Sequence, residues 1–396
     1  MGAGRVRRPR TVPLSVPELG GNERRYIKEC LDTNWVSSVG PFVDRFETAF
    51  AARAKARHAV AAVNGTAALH LALRAVGLKP GELVILPDLT FAAPAFAVVY
   101  CGARPVFMDA DPATWQMDAE KTARFLAEEC RMVKGVCRHK RTGRRVRALL
   151  PVHLLGLACD MKAFMRLARR HRLAVVEDCA EAAGVRHRGR PVGTFGDAGC
   201  FSFNGNKIMT SGGGGMVVTD DRRIAGRVRY LSTQAKDDGL EYIHHEIGFN
   251  YRLTNVLAAL GLAQLEQLKG FIARKRAVAE AYDDALREVP GITIMPHAPW
   301  TDPNFWLYTI LLEPNCALRR RKAVVAGLRS RGVEARPLWH PLHGLPPFKR
   351  DLRYDLENSK RLYERAVSLP SSSSLTPADQ RRCVAALKGA LKGAPR

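Results

Sequence analysis

One lysine stands between an aromatic strand pattern and a run of glycines. Phe201-Ser202-Phe203-Asn204-Gly205-Asn206-Lys207 leads into Ile208-Met209-Thr210-Ser211 and then four consecutive glycines at 212–215. An amine in such a place can attack a carbonyl and form a Schiff base. The glycines follow the lysine, so the Gly-x4-Gly-Lys-Ser/Thr order of a phosphate-binding P-loop is missing, and no GxGxxG opens a helix after a strand. Alone, a lysine in a glycine-rich turn reads as a solvated loop residue.

Its company changes that reading. Upstream, Val175-Val176-Glu177-Asp178 sets an acid at the carboxyl end of a buried strand pattern, the edge where ligands bind in open α/β sheets. Val63-Asn64-Gly65-Thr66-Ala67-Ala68 passes from strand to helix, so free amides and the helix dipole face whatever anion lies beyond the turn. Standing alone, Asn-Gly-Thr is also an ordinary turn and helix cap. An amine, a carboxylate to hold a pyridine nitrogen protonated, and helix-end donors for a phosphate together match what a pyridoxal phosphate site requires.

The elements that must position these groups follow from hydrophobic periodicity. Short β-branched runs at 59–63, 83–86, 105–108, 149–152, 174–177, 200–203 and 215–219 predict strands. They alternate with helical patterns at 66–76, 94–100 and 161–171, the signature of a mostly parallel sheet covered by helices. A helix is predicted over 255–289, stopped by Pro290, followed by a strand at 306–312, a helix at 323–330 and a strand at 333–335. Ser371–Ser374 reads as a low-complexity turn before a final helix. The division predicted is a large domain over 1–265 and a smaller α/β domain over 266–396.

Composition bounds the alternatives. With 62 Lys+Arg against 38 Asp+Glu the formal net charge is +24, while 46% hydrophobic and 25% charged residues are those of an ordinary globular chain. The excess admits a polyanionic ligand, a nucleic acid or a membrane surface, or simply a solvated basic surface. It concentrates at Arg5, Arg7, Arg8 and Arg10 and in 131–147, which holds eight Lys/Arg, one His and no acid and reads as an exposed excursion between a helix and a strand. Neither interleaves aromatics as a single-strand stacking platform would, and no zinc-finger or RNP-like pattern accompanies them. Nine cysteines with no CxxC pair fit reduced thiols, and no signal peptide or membrane-length apolar run is evident, so a cytoplasmic protein is expected. His244-His245-Glu246 lacks zinc-protease spacing and no metal is expected, while His153 reads as a hydrogen-bonded structural histidine.

From about Val12 to Ser368 the chain resembles the DegT/StrS-type sugar aminotransferases, pyridoxal phosphate enzymes that aminate keto-sugars attached to nucleotides. The resemblance lies in Trp35-Val36-Ser37-Ser38-Val39-Gly40, Asn64-Gly65-Thr66-Ala67-Ala68-Leu69, Glu177-Asp178-Cys179-Ala180-Glu181, the segment 201–215, Gly248-Phe249-Asn250-Tyr251-Arg252 and Arg336-Pro337-Leu338-Trp339-His340-Pro341-Leu342-His343. It implies the aspartate-aminotransferase fold (fold type I): a large domain with a mostly parallel seven-stranded sheet and a smaller C-terminal α/β domain. It further implies that Lys207 binds pyridoxal 5'-phosphate as a Schiff base and moves the proton, and that Asp178 pairs with the pyridinium nitrogen. Phe91 would stack on the ring and Glu181, often Gln in relatives, would point toward it. Gly65, Thr66 and Ser202 would hold the phosphate. Asn250 would reach it from a neighbouring subunit, implying a homodimer with shared sites. Trp35, Arg252 and His340 are the positions carried over for the substrate, His340 standing where relatives commonly have Lys.

Within that family, 35–40, 203–207 and 131–147 look like the branch that aminates C4 of UDP-linked 4-keto-6-deoxy-N-acetylhexosamines. The alternative is the branch making GDP-perosamine from a 4-keto-6-deoxymannose. In both, L-glutamate would give the amino group in ping-pong order, for surface glycans such as O-antigen. A related dehydratase subgroup carries His in place of the lysine, and Lys207 argues against it. A basic nucleic-acid-binding or regulatory protein is the alternative from another class.

Overall fold

The computed structural model describes residues 11–314 and 318–394; the N-terminal arginines Arg5, Arg7, Arg8 and Arg10, and Cys316, lie outside the described residues. Eight strands form the main sheet: β1 (His58–Ala62), β2 (Leu83–Pro87), β3 (Arg104–Met108), β4 (Val146–Leu149), β5 (Ala174–Asp178), β6 (Ala198–Ser202), β7 (Gly215–Thr219) and β8 (Leu352–Tyr354). Their spatial order is β1-β7-β6-β5-β4-β2-β3-β8. β7 runs antiparallel to both β1 and β6, and the other pairings are parallel.

The sequence dictates this burial. β2 reads Leu-Val-Ile-Leu-Pro and β7 Gly-Met-Val-Val-Thr, and every residue of both is buried, as expected of strands covered on both faces. Apolar layers on the two sides of the sheet share it by alternation: Val217 packs with Leu69 and Leu73, whereas Met216 and Val218 pack with Phe46, Phe50 and Phe203.

Seven strands were expected and eight are present, because Leu352–Tyr354, from the C-terminal part of the chain, pairs in parallel with β3. A second, antiparallel sheet joins Ile292–Thr293, Tyr308–Leu312, Ala366–Leu369 and Arg336–Pro337. The expected strand at 333–335 is displaced: Val333 makes only a single bridge to Val12, and pairing resumes where Arg336 meets Ser368. The basic excursion folds as a hairpin, Cys130–Val133 with Val136–His139, and its end enters β4, since Val146 and Ala148 bury on either side of Arg147. Ser371–Ser374 leads into the turn expected of it, with the Leu375 amide donating to Ser372 O at 3.1 Å. Ser371, Ser372 and Ser373 are buried, and their hydroxyls serve backbone and side-chain partners, including the Val16 amide and Glu18.

Helix Asn255–Leu286 spans 32 residues, so the division expected at 265/266 falls inside one continuous element. Among the described helices it alone has the length and apolar content to cross a bilayer, and just over half of that apolar stretch is buried within the fold. It packs against helices Glu23–Asp32 and Pro41–Ala54 through residues such as Leu262 and Phe46.

Candidate active site

The carboxyl edge of the main sheet gathers the groups that the sequence singled out. Asp178 is the last residue of β5, Ser202 the last of β6, and Gly215 opens the antiparallel β7 at the same edge. Helix Gly65–Ala75 begins there too. Asn64 caps it, its side-chain oxygen accepting the Ala67 amide at 2.8 Å and its carbonyl the Ala68 amide at 3.0 Å. Among the described residues the amides of Gly65 and Thr66 are left without a backbone partner, pointing off the helix end. A Cβ on Gly65 would lie 2.7 Å from that of Ser202, so glycine is what lets helix end and strand end converge.

The lysine loop is pinned at its base. The Phe203 amide donates to Gly214 O at 2.8 Å, and Ser211 N donates to Phe203 O at 2.9 Å. The glycines serve this closure: a Cβ at 215 would press on the Asn64 carbonyl, and one at 214 on the Ser211 hydroxyl. Gly215 therefore lets this strand end lie against the Asn64–Gly65 turn of the same chain.

Lys207 Nζ lies 3.9 Å from Glu181 Oε1 and 4.1 Å from the centroid of the Trp306 ring. Burial holds its pKa below the ordinary amine value, while Glu181 and Asp178 pull the other way. Asp178 is buried, which raises its pKa; the Ala180 amide, donating at 2.9 Å, and the Lys207 charge oppose the shift. Glu181 is pushed up to about 7 by burial, against the attraction of Lys207 and the Leu155 amide, which donates to it at 2.7 Å. Three ionisable groups thus share one dry site with their usual pKa values displaced toward neutrality, a mark of functional sites.

A buried triad lies beneath. His153, Glu177 and Cys179 place one ligand-type atom each within 4.8 Å of one another. Glu177 and His153 already use their lone pairs within the protein. Glu177 accepts the amides of Gly193, Phe195 and Gly196 at 2.7 to 2.9 Å. His153 Nδ1 accepts the Cys159 amide, which fixes the proton on Nε2, and that N–H donates to Glu177 at 3.1 Å. The cluster locks the strand end that carries Asp178, and His153 has the structural role expected of it.

The remaining positions divide. Phe91 follows β2 at the same edge and is exposed. Trp35 is half exposed on a loop tied down by Asn255, which donates to Trp35 O at 2.7 Å and accepts the Phe42 amide at 2.9 Å. Asn250 is exposed and ends a stretch of chain that also exposes Leu240, Tyr242 and Ile247. Arg252, by contrast, turns inward: its guanidinium donates to Ala61 O and to Glu47 Oε1, both at 3.0 Å, and tethers β1 instead of facing a ligand. His340 packs its ring on Tyr363 at 5.0 Å and turns Nδ1 to Pro341 O. In the same segment His343 instead reaches the sheet edge, through both its amide and Nδ1, to the fully buried Asp88.

Trp306 was read only as the start of a strand. The strand begins at Tyr308, and the indole instead covers the lysine and donates to Asn206 O at 2.8 Å. An aromatic immediately before a buried strand carries no signal of such a role, because the contact spans 99 residues of sequence.

The donor set fits pyridoxal phosphate: a depressed amine, a strand-end carboxylate facing it, and free first-turn amides beside a serine hydroxyl. Comparison with known proteins agrees. The model of the DegT/DnrJ/EryC1/StrS aminotransferase family matches residues 17–388. The GDP-perosamine synthase of Caulobacter vibrioides is 42% identical over 95% of this chain and 97% of its own. That of Vibrio cholerae is 38% identical over 91% and 94%. The crystal structure of S. venezuelae DesV superimposes with a TM-score of 0.83 at 32% identity, covering 94% of this chain and 95% of that one. The chain belongs to the DegT/DnrJ/EryC1/StrS aminotransferase family and is a pyridoxal phosphate-dependent sugar aminotransferase.

Proposed function

We propose that the enzyme aminates C4 of a GDP-linked 4-keto-6-deoxymannose, making GDP-perosamine with L-glutamate as the amino donor. The observation that carries this reading is the 42% identity to a GDP-perosamine synthase across nearly the whole of both chains. It displaces the UDP-linked N-acetylhexosamine to which three local sequence features had leaned, since such short features weigh less than full-length similarity. The work is that of a cytoplasmic biosynthetic enzyme supplying surface glycans.

Bound pyridoxal phosphate supplies an electron-withdrawing ring and a carbonyl carbon that accepts and returns the amino group. Lys207 is the residue to hold it and, once released, to carry the proton to and from the amino-bearing carbon of each substrate in turn. Burial lowers the pKa of its amine below the ordinary value, which favours its action as a base. Asp178 would keep a proton on the ring nitrogen, its carboxylate held by the Ala180 amide. Gly65, Thr66 and Ser202 bind the phosphate at the helix end, with Glu181 and Phe91 at the ring. Asn250 and its exposed apolar neighbours suit contact with a second copy, in a homodimer with shared sites. The proposed division into a large domain over about 1–265 and a smaller one beyond places the change within helix Asn255–Leu286, with Leu352–Tyr354 returning to the large sheet.

The test is incubation of the holoenzyme with L-glutamate and GDP-, UDP- and dTDP-linked 4-keto sugars, with mass spectrometry of the products. Preferred turnover of the GDP-linked mannose derivative is expected. Faster turnover of the UDP-linked N-acetylhexosamine would reverse the assignment.

A further inference from the structure

The amino edge of the main sheet, opposite Asp178 and Ser202, holds a cavity of about 700 Å³ where β4 and β5 begin and β7 ends. Five arginines line it: Arg74, Arg147, Arg172, Arg223 and Arg227. Ligands of parallel α/β sheets bind at the other edge, so the catalytic site does not account for this concentration.

Carboxylates balance part of this charge. Asp197 and Asp221 also line the cavity, but both carboxylates serve the backbone, Asp197 accepting the Val175 amide at 2.7 Å and Asp221 capping helix Arg222–Ser232 through the Arg223 amide at 2.7 Å. Arg227 pairs with Glu246, and Arg223 lies 3.3 Å from Asp221. Arg74 and Arg172 make no ion pair among the described residues. Arg147 gives one end of its guanidinium to Val76 O, while its Nε is buried with no hydrogen-bond partner. A buried guanidinium donor left unsatisfied is costly and rare.

We propose that this cavity binds a small molecule carrying a diphosphate group, at a site distinct from the catalytic one. Arg74, Arg147 and Arg172 make no close ion pair among the described residues, Glu246 and Asp197 acting on Arg74 and Arg147 only at longer range, and their forked N–H groups suit the oxygens of a diphosphate in bidentate pairs. The volume exceeds what an inorganic phosphate needs and lies in the range of small-ligand sites. Arginines that converge on one cleft from several elements, with no aromatic among the lining residues, favour a compact anion over a nucleic-acid strand.

Titration calorimetry of the cofactor-loaded enzyme tests this with inorganic pyrophosphate, inorganic phosphate and GDP as probes, on the wild type and on an Arg74→Gln, Arg172→Gln double variant. Neither residue belongs to the catalytic machinery, and thermal melting verifies that the variant folds. Pyrophosphate is expected to bind the wild type and to bind the variant about tenfold or more weakly, with turnover unchanged in its absence. GDP is expected to fill one site fewer in the variant, which separates a nucleotide ligand from an inorganic one. Absence of pyrophosphate binding would overturn the proposal. So would binding unchanged in the double variant, which would place it at the catalytic edge, or phosphate binding as tightly as pyrophosphate, which would remove the diphosphate.

Discussion

The amine of Lys207 lies over the face of Trp306, 4.1 Å from the ring centroid. The same indole donates its N–H to Asn206 O at 2.8 Å, so one side chain both covers the amine and fixes the backbone beside it. Trp339 stacks on it nearly parallel, 6.3 Å between centroids. Residues about a hundred and more positions downstream thus exclude water from a lysine that the large sheet presents, and a dry amine is the one with a depressed pKa.

Replacing that cover should therefore be felt in the chemistry. Trp306→Leu removes both ring and donor and should lower kcat/KM about tenfold or more, through loss of positioning and entry of water. Trp306→Phe keeps a ring and should lose less. Steady-state kinetics on the two variants check this, and equal losses would mean that the ring itself contributes nothing.

Glu181 makes the folded state sensitive to pH. Its carboxyl stays protonated up to about 7 in the folded protein but ionises near its ordinary value of 4.5 when unfolded. Between those values the folded state holds the extra proton, so this group's effect on stability declines as pH rises, by up to about 3 kcal/mol in all. Glu181→Gln removes the decline. The variant should melt progressively above wild type as pH is raised from 5 to 8, and parallel melting curves across that range would refute the assignment.

Gly65→Ala tests the meeting of helix end and strand end. Its Cβ would sit 2.7 Å from that of Ser202, which must move away from the first-turn amides. Affinity for pyridoxal phosphate should fall about tenfold, as expected when charge-assisted contacts to phosphate are lost. Absorbance titration of apoenzyme reads the change, and unaltered affinity would take Ser202 and Gly65 out of the phosphate site.

The contact between His343 and Asp88 ties the C-terminal part of the chain to the end of β2, with Nδ1 at 2.7 Å from a fully buried carboxylate. His343→Ala leaves the backbone amide in place and should cost about 1–3 kcal/mol of stability. Asp88→Ala strands the His343 amide as well and should cost more. Denaturant unfolding of both variants gives the order, and the reverse order would contradict the geometry.

Much of this protein was legible in its sequence because the signals are local. Helix Met161–His171 and strand Gly215–Thr219 have the predicted bounds, and most strand and helix ends in the large sheet lie within a residue or two of them. Strand runs buried on both faces, and a cap such as Asn64, act through neighbours in the chain. Lys207, Asp178, Gly65 and Ser202 could be chosen by residue type and by position at a strand or helix end, and the fold brings those ends to one sheet edge.

Tertiary structure decided what depends on distant partners. Arg252 has the look of an anion-binding residue, yet Glu47, 205 positions away, draws it inward. Ser371–Ser374 reads as a turn, and packing buries its first three residues. Nothing near 352–354 announces that this segment completes the large sheet, because its partner is β3. Trp306 over Lys207 and the arginine-lined cavity have the same character. The sequence by itself determined which groups could do the chemistry and which runs must be buried. Which polar groups remain free to meet a ligand was set only when long-range contacts satisfied the others, since a buried charge or hydrogen-bonding group takes whatever partner the folded chain brings to it.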